Sequence, residues 1–134
     1  MTMTRQSGLI AVVDDDPDMR CVVKDLLLQY GFQAELFASA EDFLATASTC
    51  RASCLIIDIQ LGAMSGIELA HQLAIFGLDV PVIFMTGSMS MTIQKKAIEA
   101  GCVAYLQKPF PAKELMQAVK KAIAPKQDPS MMVS

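Results

Sequence analysis

Residues 9–18 read Leu-Ile-Ala-Val-Val-Asp-Asp-Asp-Pro-Asp. An unbroken apolar run of strand length, with no polar alternation, is how a parallel strand reads when helices cover its sheet on both faces. The acids that follow end it. Asp16 offers a side-chain oxygen as a helix N-cap, and Pro17 takes the first helical position, where a missing N–H costs nothing. Apolar residues then recur as Met19, Val22, Val23, Leu26 and Tyr30, and Gly31 closes the helix. Ten residues therefore spell strand, turn and helix start.

The same phrase repeats along the chain. Cys54–Ile57 and Val82–Met85 are further continuous apolar runs, and Ala34–Phe37 and Val103–Leu106 are weaker strands. Ala34–Phe37 mixes polar and apolar residues and so belongs nearer an edge. Helical patterns fill the gaps. Ser39 with Asp42, and Ser65 with Glu68, have the spacing of capping boxes. The first of these helices runs to about Ser48; the second carries Ile67, Ala70, Leu73 and Ala74 on one face. A fourth helix, roughly Thr92–Ala100, stops at Gly101, and a fifth starts at Pro111 with Leu115, Met116, Val119, Ala122 and Ile123 as its apolar stripe. Parallel neighbours need helical crossovers, so five strand–helix units give an α/β fold with a doubly wound parallel sheet. A barrel needs eight such units.

Composition agrees. The chain has 134 residues, 53% hydrophobic and 19% charged, which is one domain's length and too apolar for intrinsic disorder. No apolar run reaches the roughly 18 residues of a membrane span, and Met1–Gly8 has no apolar signal core, so a cytoplasmic protein is expected. The first seven residues and the aperiodic tail Pro125–Ser134 are expected to be flexible ends flanking a domain over 8–124. The cysteines (Cys21, Cys50, Cys54, Cys102) are too sparse for a disulfide framework and have no zinc spacing. They read as reduced thiols. His71 sits between Ala70 and Gln72 in a helix and reads as a solvated surface residue. Net charge is −3, so no nucleic-acid binding by this chain is expected. The charge is unevenly placed. Eleven acids and four bases precede Lys95, and seven lysines and three acids follow from it.

Open parallel sheets carry their sites just beyond the carboxyl ends of the strands. There the sequence puts Asp14 and Asp15 after the first strand, Asp58 after the third, Thr86 and Gly87 after the fourth, and Lys108 and Pro109 after the fifth. Helix capping accounts for Asp16. It does not account for Asp58, which directly follows Leu55-Ile56-Ile57 with no helix start until about Ser65. Three clustered carboxylates without a cation would push one pKa upward. A hard cation with oxygen ligands answers this, and Mg2+ fits best, being held by one or two carboxylates, waters and a phosphate oxygen. Lys108 and Thr86 would then meet the phosphate, one as a point charge and the other as a hydrogen-bond donor. A flavodoxin-like cofactor binder is rejected, because it needs a phosphate-cradling loop and the loop Asp-Asp-Asp-Pro-Asp repels phosphate unless a metal intervenes. A free-standing phosphohydrolase is disfavoured by the lack of a cap domain.

These residues resemble a known family, the receiver domain of two-component response regulators. The resemblance rests on Val13-Asp14-Asp15-Asp16, Asp58 with Gly66 eight residues later, Met85-Thr86-Gly87, Gly101-Cys102-Val103, and Lys108-Pro109-Phe110 with Tyr105 three residues before the lysine. It covers roughly residues 8–124. It implies a flavodoxin-like five-stranded parallel sheet in the order 2-1-3-4-5, with five helices on both faces. It further implies that Asp58 is the phosphoacceptor and that Asp14, Asp15, Asp58 and the backbone carbonyl of Gln60 bind Mg2+. Thr86 and Lys108 would contact the acyl phosphate. Tyr105, coupled to Thr86, would act as the switch aromatic, and the Lys108–Pro109 bond would be cis. The implied partner is a sensor histidine kinase or a histidine phosphotransfer protein, in a phosphorelay with no external substrate turnover. The output surface would be the fourth helix, fifth strand and fifth helix, Ser90–Ala124, open to an effector or to a second copy as a homodimer. One residue departs from the family pattern: Gly62 stands where proline is usual, removing a backbone restraint.

Overall fold

The computed structural model describes residues 8–124; the two expected flexible ends lie outside them. The elements in chain order are β1 (Leu9–Val13), α1 (Pro17–Gln29), β2 (Gln33–Phe37), α2 (Ala40–Ala45), a single 3₁₀ turn (Ala47–Thr49), β3 (Cys54–Asp58), α3 (Gly66–Ile75), β4 (Val82–Thr86), α4 (Met91–Glu99), β5 (Ala104–Gln107) and α5 (Ala112–Ile123). The five strands form one parallel sheet in the order β2-β1-β3-β4-β5. That is the order the family resemblance implied, in the doubly wound class the strand–helix pattern indicated. Among the described residues no helix is long and apolar enough to cross a membrane.

Alternation along each strand splits the core into two layers. Ile10, Val12, Ile56, Ile83 and Met85 point to one face, where they meet Val23 and Leu27 of α1 and Leu115 and Val119 of α5. Ala11, Val13, Leu55, Ile57 and Phe84 point to the other, against Phe43 of α2, Leu69 and Leu73 of α3 and Ala97 of α4. Both faces of the central strands are thus buried, and the unbroken apolar runs follow from that. β2 lies at an edge, and its exposed Gln33 and Glu35 account for its mixed composition.

The helix starts follow the sequence signals. Asp16 accepts from the Asp18 N–H at the head of α1, and Ser65 and Glu68 form a full capping box on α3. At α2 only half of the expected box exists: Ser39 accepts from the Asp42 N–H, and α2 ends at Ala45 before the 3₁₀ turn. Two apolar stripes also differ from expectation. On α1 the buried residues are Val23 and Leu27, while Val22 and Tyr30 are exposed. Adjacent Val22-Val23 and Leu26-Leu27-Leu28 allow several stripes, and periodicity alone cannot choose among them. On α3 the buried line runs through Leu69 and Leu73, and Ala74 is exposed, because the larger Leu69 takes the place against the sheet.

Candidate functional site

All the strand-end residues named from the sequence converge at the carboxyl edge of β1, β3, β4 and β5. Asp14 is fully buried, Asp58 is buried at the last position of β3, and Asp15 is exposed at the rim. One carboxylate oxygen from each lies within 4.8 Å of the others. Oxygens around an octahedral Mg2+ with bonds of about 2.1 Å stand about 3–4.2 Å apart, close to the spread found here. The donor set is three carboxylates, all oxygen, which suits a hard divalent cation.

The acid loop is held by its own backbone. Asp14 Oδ1 accepts from the Asp16 N–H at 3.0 Å. The Arg20 guanidinium donates to the Asp14 carbonyl at 2.7 Å. Sequence reasoning passed over Arg20, although it is the one base among residues 14–23.

Lys108 supplies the cation of the cleft. Its Nζ lies 3.0 Å from Asp14 Oδ2 and 3.0 Å from Asp58 Oδ2. The other Asp58 oxygen accepts from the Gln60 N–H at 2.9 Å. Burial raises the Asp58 carboxyl to about 6, with the Asp14 charge adding to it, and the Lys108 and Gln60 bonds hold it from going further. Burial works against the Lys108 charge as well, but its bonds to Asp14 and Asp58 outweigh this and raise its pKa. The Lys108–Pro109 bond is cis.

Thr86 is fully buried at the end of β4. Its hydroxyl donates to Gln60 Oε1 at 2.9 Å, and its oxygen accepts from the Ser88 N–H at 3.0 Å. Gln60 had been singled out only for its carbonyl. The Gly87 N–H also donates to the Gln60 side chain, at 3.3 Å. Tyr105 lies on β5, half-buried against the layer that holds α4. Gly66, at the start of α3, leaves no room for a side chain: a Cβ there would meet the Asp58 carbonyl oxygen. Gly62 has open space around it and no left-handed φ, so nothing in its conformation requires glycine. His71 is exposed, as expected, and all four cysteines are free.

The family model for the response regulator receiver domain matches residues 10–120. The chain belongs to that family. This receiver domain is 34% identical over 127 residues to the response regulator protein TodT of Pseudomonas putida, covering 93% of this chain and 56% of TodT. It is 32% identical over 113 residues to the transcriptional regulatory protein FixJ of Rhizobium meliloti, covering 84% of this chain and 55% of FixJ. The chain thus spans about half the length of these curated relatives. Among solved structures, the receiver resembles the crystal structure titled FixJ-N with a TM-score of 0.84 at 30% identity, covering 92% of this chain and 98% of that one. It also resembles the BeF3-activated DrrB receiver domain, with a TM-score of 0.79 at 29% identity, covering 89% and 99% respectively. Receiver domains of response regulators are signalling switches.

Proposed function

We propose that Asp58 of this receiver accepts a phosphoryl group from a histidine kinase or a histidine phosphotransfer protein in a phosphorelay. The observation that carries the reading is Lys108 Nζ held 3.0 Å from both Asp14 and Asp58, beside three carboxylates whose oxygens lie within 4.8 Å of one another. A carboxylate is a competent nucleophile for phosphorus. An Asp58 oxygen forms the new O–P bond as the donor's N–P bond breaks, and the bond's electrons leave with the donor imidazole. Phosphoryl transfer asks chiefly for positioning and charge compensation. Asp58 is positioned by the Gln60 N–H and by the end of β3. Lys108 compensates charge and follows the phosphoryl oxygens as they arrive, and the Thr86 hydroxyl supplies a neutral donor. Asp14, Asp15, Asp58 and the Gln60 carbonyl are the residues that would hold Mg2+, and the ion would supply positive charge to offset the negative charge of the phosphoryl oxygens. Near neutral pH an Asp58 carboxyl with a pKa of about 6 is mostly ionised, as a nucleophile must be.

The output in this reading is the α4-β5-α5 face, because Thr86 leads toward α4, Lys108 leads into α5, and Tyr105 lies between them. Met91, Lys95 and Ile98 of α4 are exposed, whereas Lys96 faces the loop after β3. This face would meet an effector or a second copy of the chain, and specific DNA binding by the chain itself is not part of the reading.

The test is labelling by a small acyl phosphate with Mg2+. Label should appear on Asp58 and vanish in Asp58→Asn or on chelation of the metal. Equal labelling of Asp58→Asn refutes the assignment. Amide exchange with and without beryllium fluoride should change mainly over 86–111; changes confined to α1 and α2 refute the output face.

A further inference from the structure

We infer that the Gln60 side chain is a latch that keeps the Thr86 hydroxyl turned away from the phosphoryl site in the unphosphorylated receiver. The inference rests on the phosphoacceptor reading above and concerns a side chain that reading does not use.

The hydrogen-bond directions settle where the one hydroxyl proton points. The Gly87 N–H can only donate, so the Gln60 atom it meets at 3.3 Å is the amide oxygen and not the nitrogen. The Ser88 N–H also only donates, and it meets Thr86 Oγ1 at 3.0 Å. Thr86 Oγ1 is therefore an acceptor toward Ser88, and its single proton is committed to Gln60 Oε1 at 2.9 Å. A hydroxyl with its proton so placed has none to give a phosphoryl oxygen. To engage one it must release Gln60.

Gln60 is well placed to couple that release to the nucleophile. Its own N–H donates to Asp58 Oδ1 at 2.9 Å, so one residue touches the phosphoacceptor through its backbone and the switch threonine through its side chain. Converting Asp58 to its acyl phosphate alters the acceptor that the Gln60 N–H meets, while the new phosphoryl oxygens compete with Gln60 Oε1 for the Thr86 proton. The side chain of Gln60 is exposed, so water readily takes over its amide once Thr86 turns. The latch is weak by design: one neutral hydrogen bond at a wet edge is worth about 0.5–1.5 kcal/mol, which converts to roughly a twofold to twelvefold bias.

The variant Gln60→Met keeps length and flexibility and removes the acceptor. Binding of beryllium fluoride with Mg2+ is measured for the wild type, Gln60→Met, Thr86→Val and the double variant, together with amide exchange at Gly87 in metal-free protein. Tighter binding of the mimic by about twofold to twelvefold in Gln60→Met is expected, with the gain absent in the Thr86→Val background. Faster exchange at Gly87 in Gln60→Met is expected as well, and this readout needs neither metal nor mimic. Unchanged or weaker binding in Gln60→Met, an equal gain in the Thr86→Val background, or unaltered Gly87 exchange overturns the latch while leaving Asp58 as the acceptor. Failure of the wild type to take label on Asp58 overturns the phosphoacceptor reading, and the latch falls with it.

Discussion

Replacing Gly66 by alanine sets two rules against each other. Alanine is favoured over glycine in a helix by up to about 1 kcal/mol, and Gly66 is the first residue of α3. Helix propensity alone therefore forecasts a gain. The local geometry forecasts a loss. A Cβ on residue 66 would stand 2.8 Å from Ile57 Cγ2, 3.0 Å from the Asp58 carbonyl carbon and closer still to its oxygen. Two of those three atoms are backbone, at the end of a fully buried central strand, and cannot swing aside as a flexible side chain would. Overpacking costs about 1–3 kcal/mol where neighbours can shift; neighbours this rigid put the cost at about 3 kcal/mol, and against a propensity gain of about 1 kcal/mol the net loss is about 2 kcal/mol. For a domain of this size that lowers Tm by roughly 6–10 °C. Gly62→Ala, in the same loop, meets nothing within 4 Å and should be neutral or stabilising by up to about 1 kcal/mol. Urea and thermal denaturation of both variants supply the comparison. Since the strain falls on the Asp58 peptide, Gly66→Ala should also slow labelling of Asp58 at temperatures where the variant is still folded. A Gly66→Ala protein as stable as the wild type, or less damaged than Gly62→Ala, would refute the steric argument.

Without metal, the Asp58 carboxyl lies at about 6 against an ordinary 3.8. The folded state then binds the proton more tightly than the unfolded state, so this group's contribution to stability falls as pH rises from about 4 through 6. Discounted for solvent in the cleft, the loss is about 1–2 kcal/mol. Denaturation curves should find Asp58→Asn more stable than the metal-free wild type at pH 7 and the gap closing near pH 4; a gap independent of pH refutes this. Lys108→Ala leaves Asp14 and Asp58 facing each other with no ammonium between them. Its Asp58 carboxyl, followed by NMR, should titrate above the wild-type position, and its labelling by an acyl phosphate should drop by about 100-fold or more. Ser65→Ala removes one half of the α3 capping box and should cost about 1 kcal/mol in urea denaturation, with a loss below about 0.3 kcal/mol refuting the cap.

The strands were legible because burial on both faces leaves an unbroken apolar run, and β1, β3 and β4 all have one. The carboxylates and Lys108 were legible because strand ends in a parallel sheet share one edge, so their order in the chain sets their meeting place. Other features depend on contacts that no local window contains. The Gln60 bond to Thr86 joins a loop to a strand end 26 residues away, and nothing near Gln60 announces where its side chain will turn. The closeness of Gly66 to the Asp58 carbonyl is likewise set by how α3 returns over β3. On α1, the runs Val22-Val23 and Leu26-Leu27-Leu28 hold more apolar residues than its buried face can use, and only the packed sheet selects Val23 and Leu27. The second half of the α2 box failed because spacing permits the Asp42 side chain to reach back but does not compel it.

Lys108 joins Asp14 across 94 residues of chain and Asp58 across 50. During synthesis the two carboxylates leave the ribosome long before their ammonium, and a nascent chain ending before β5 lacks the charge that would compensate them. The three charges meet only when the last strand docks. Docking of β5 is therefore the event that gathers all three charges at one edge of the sheet.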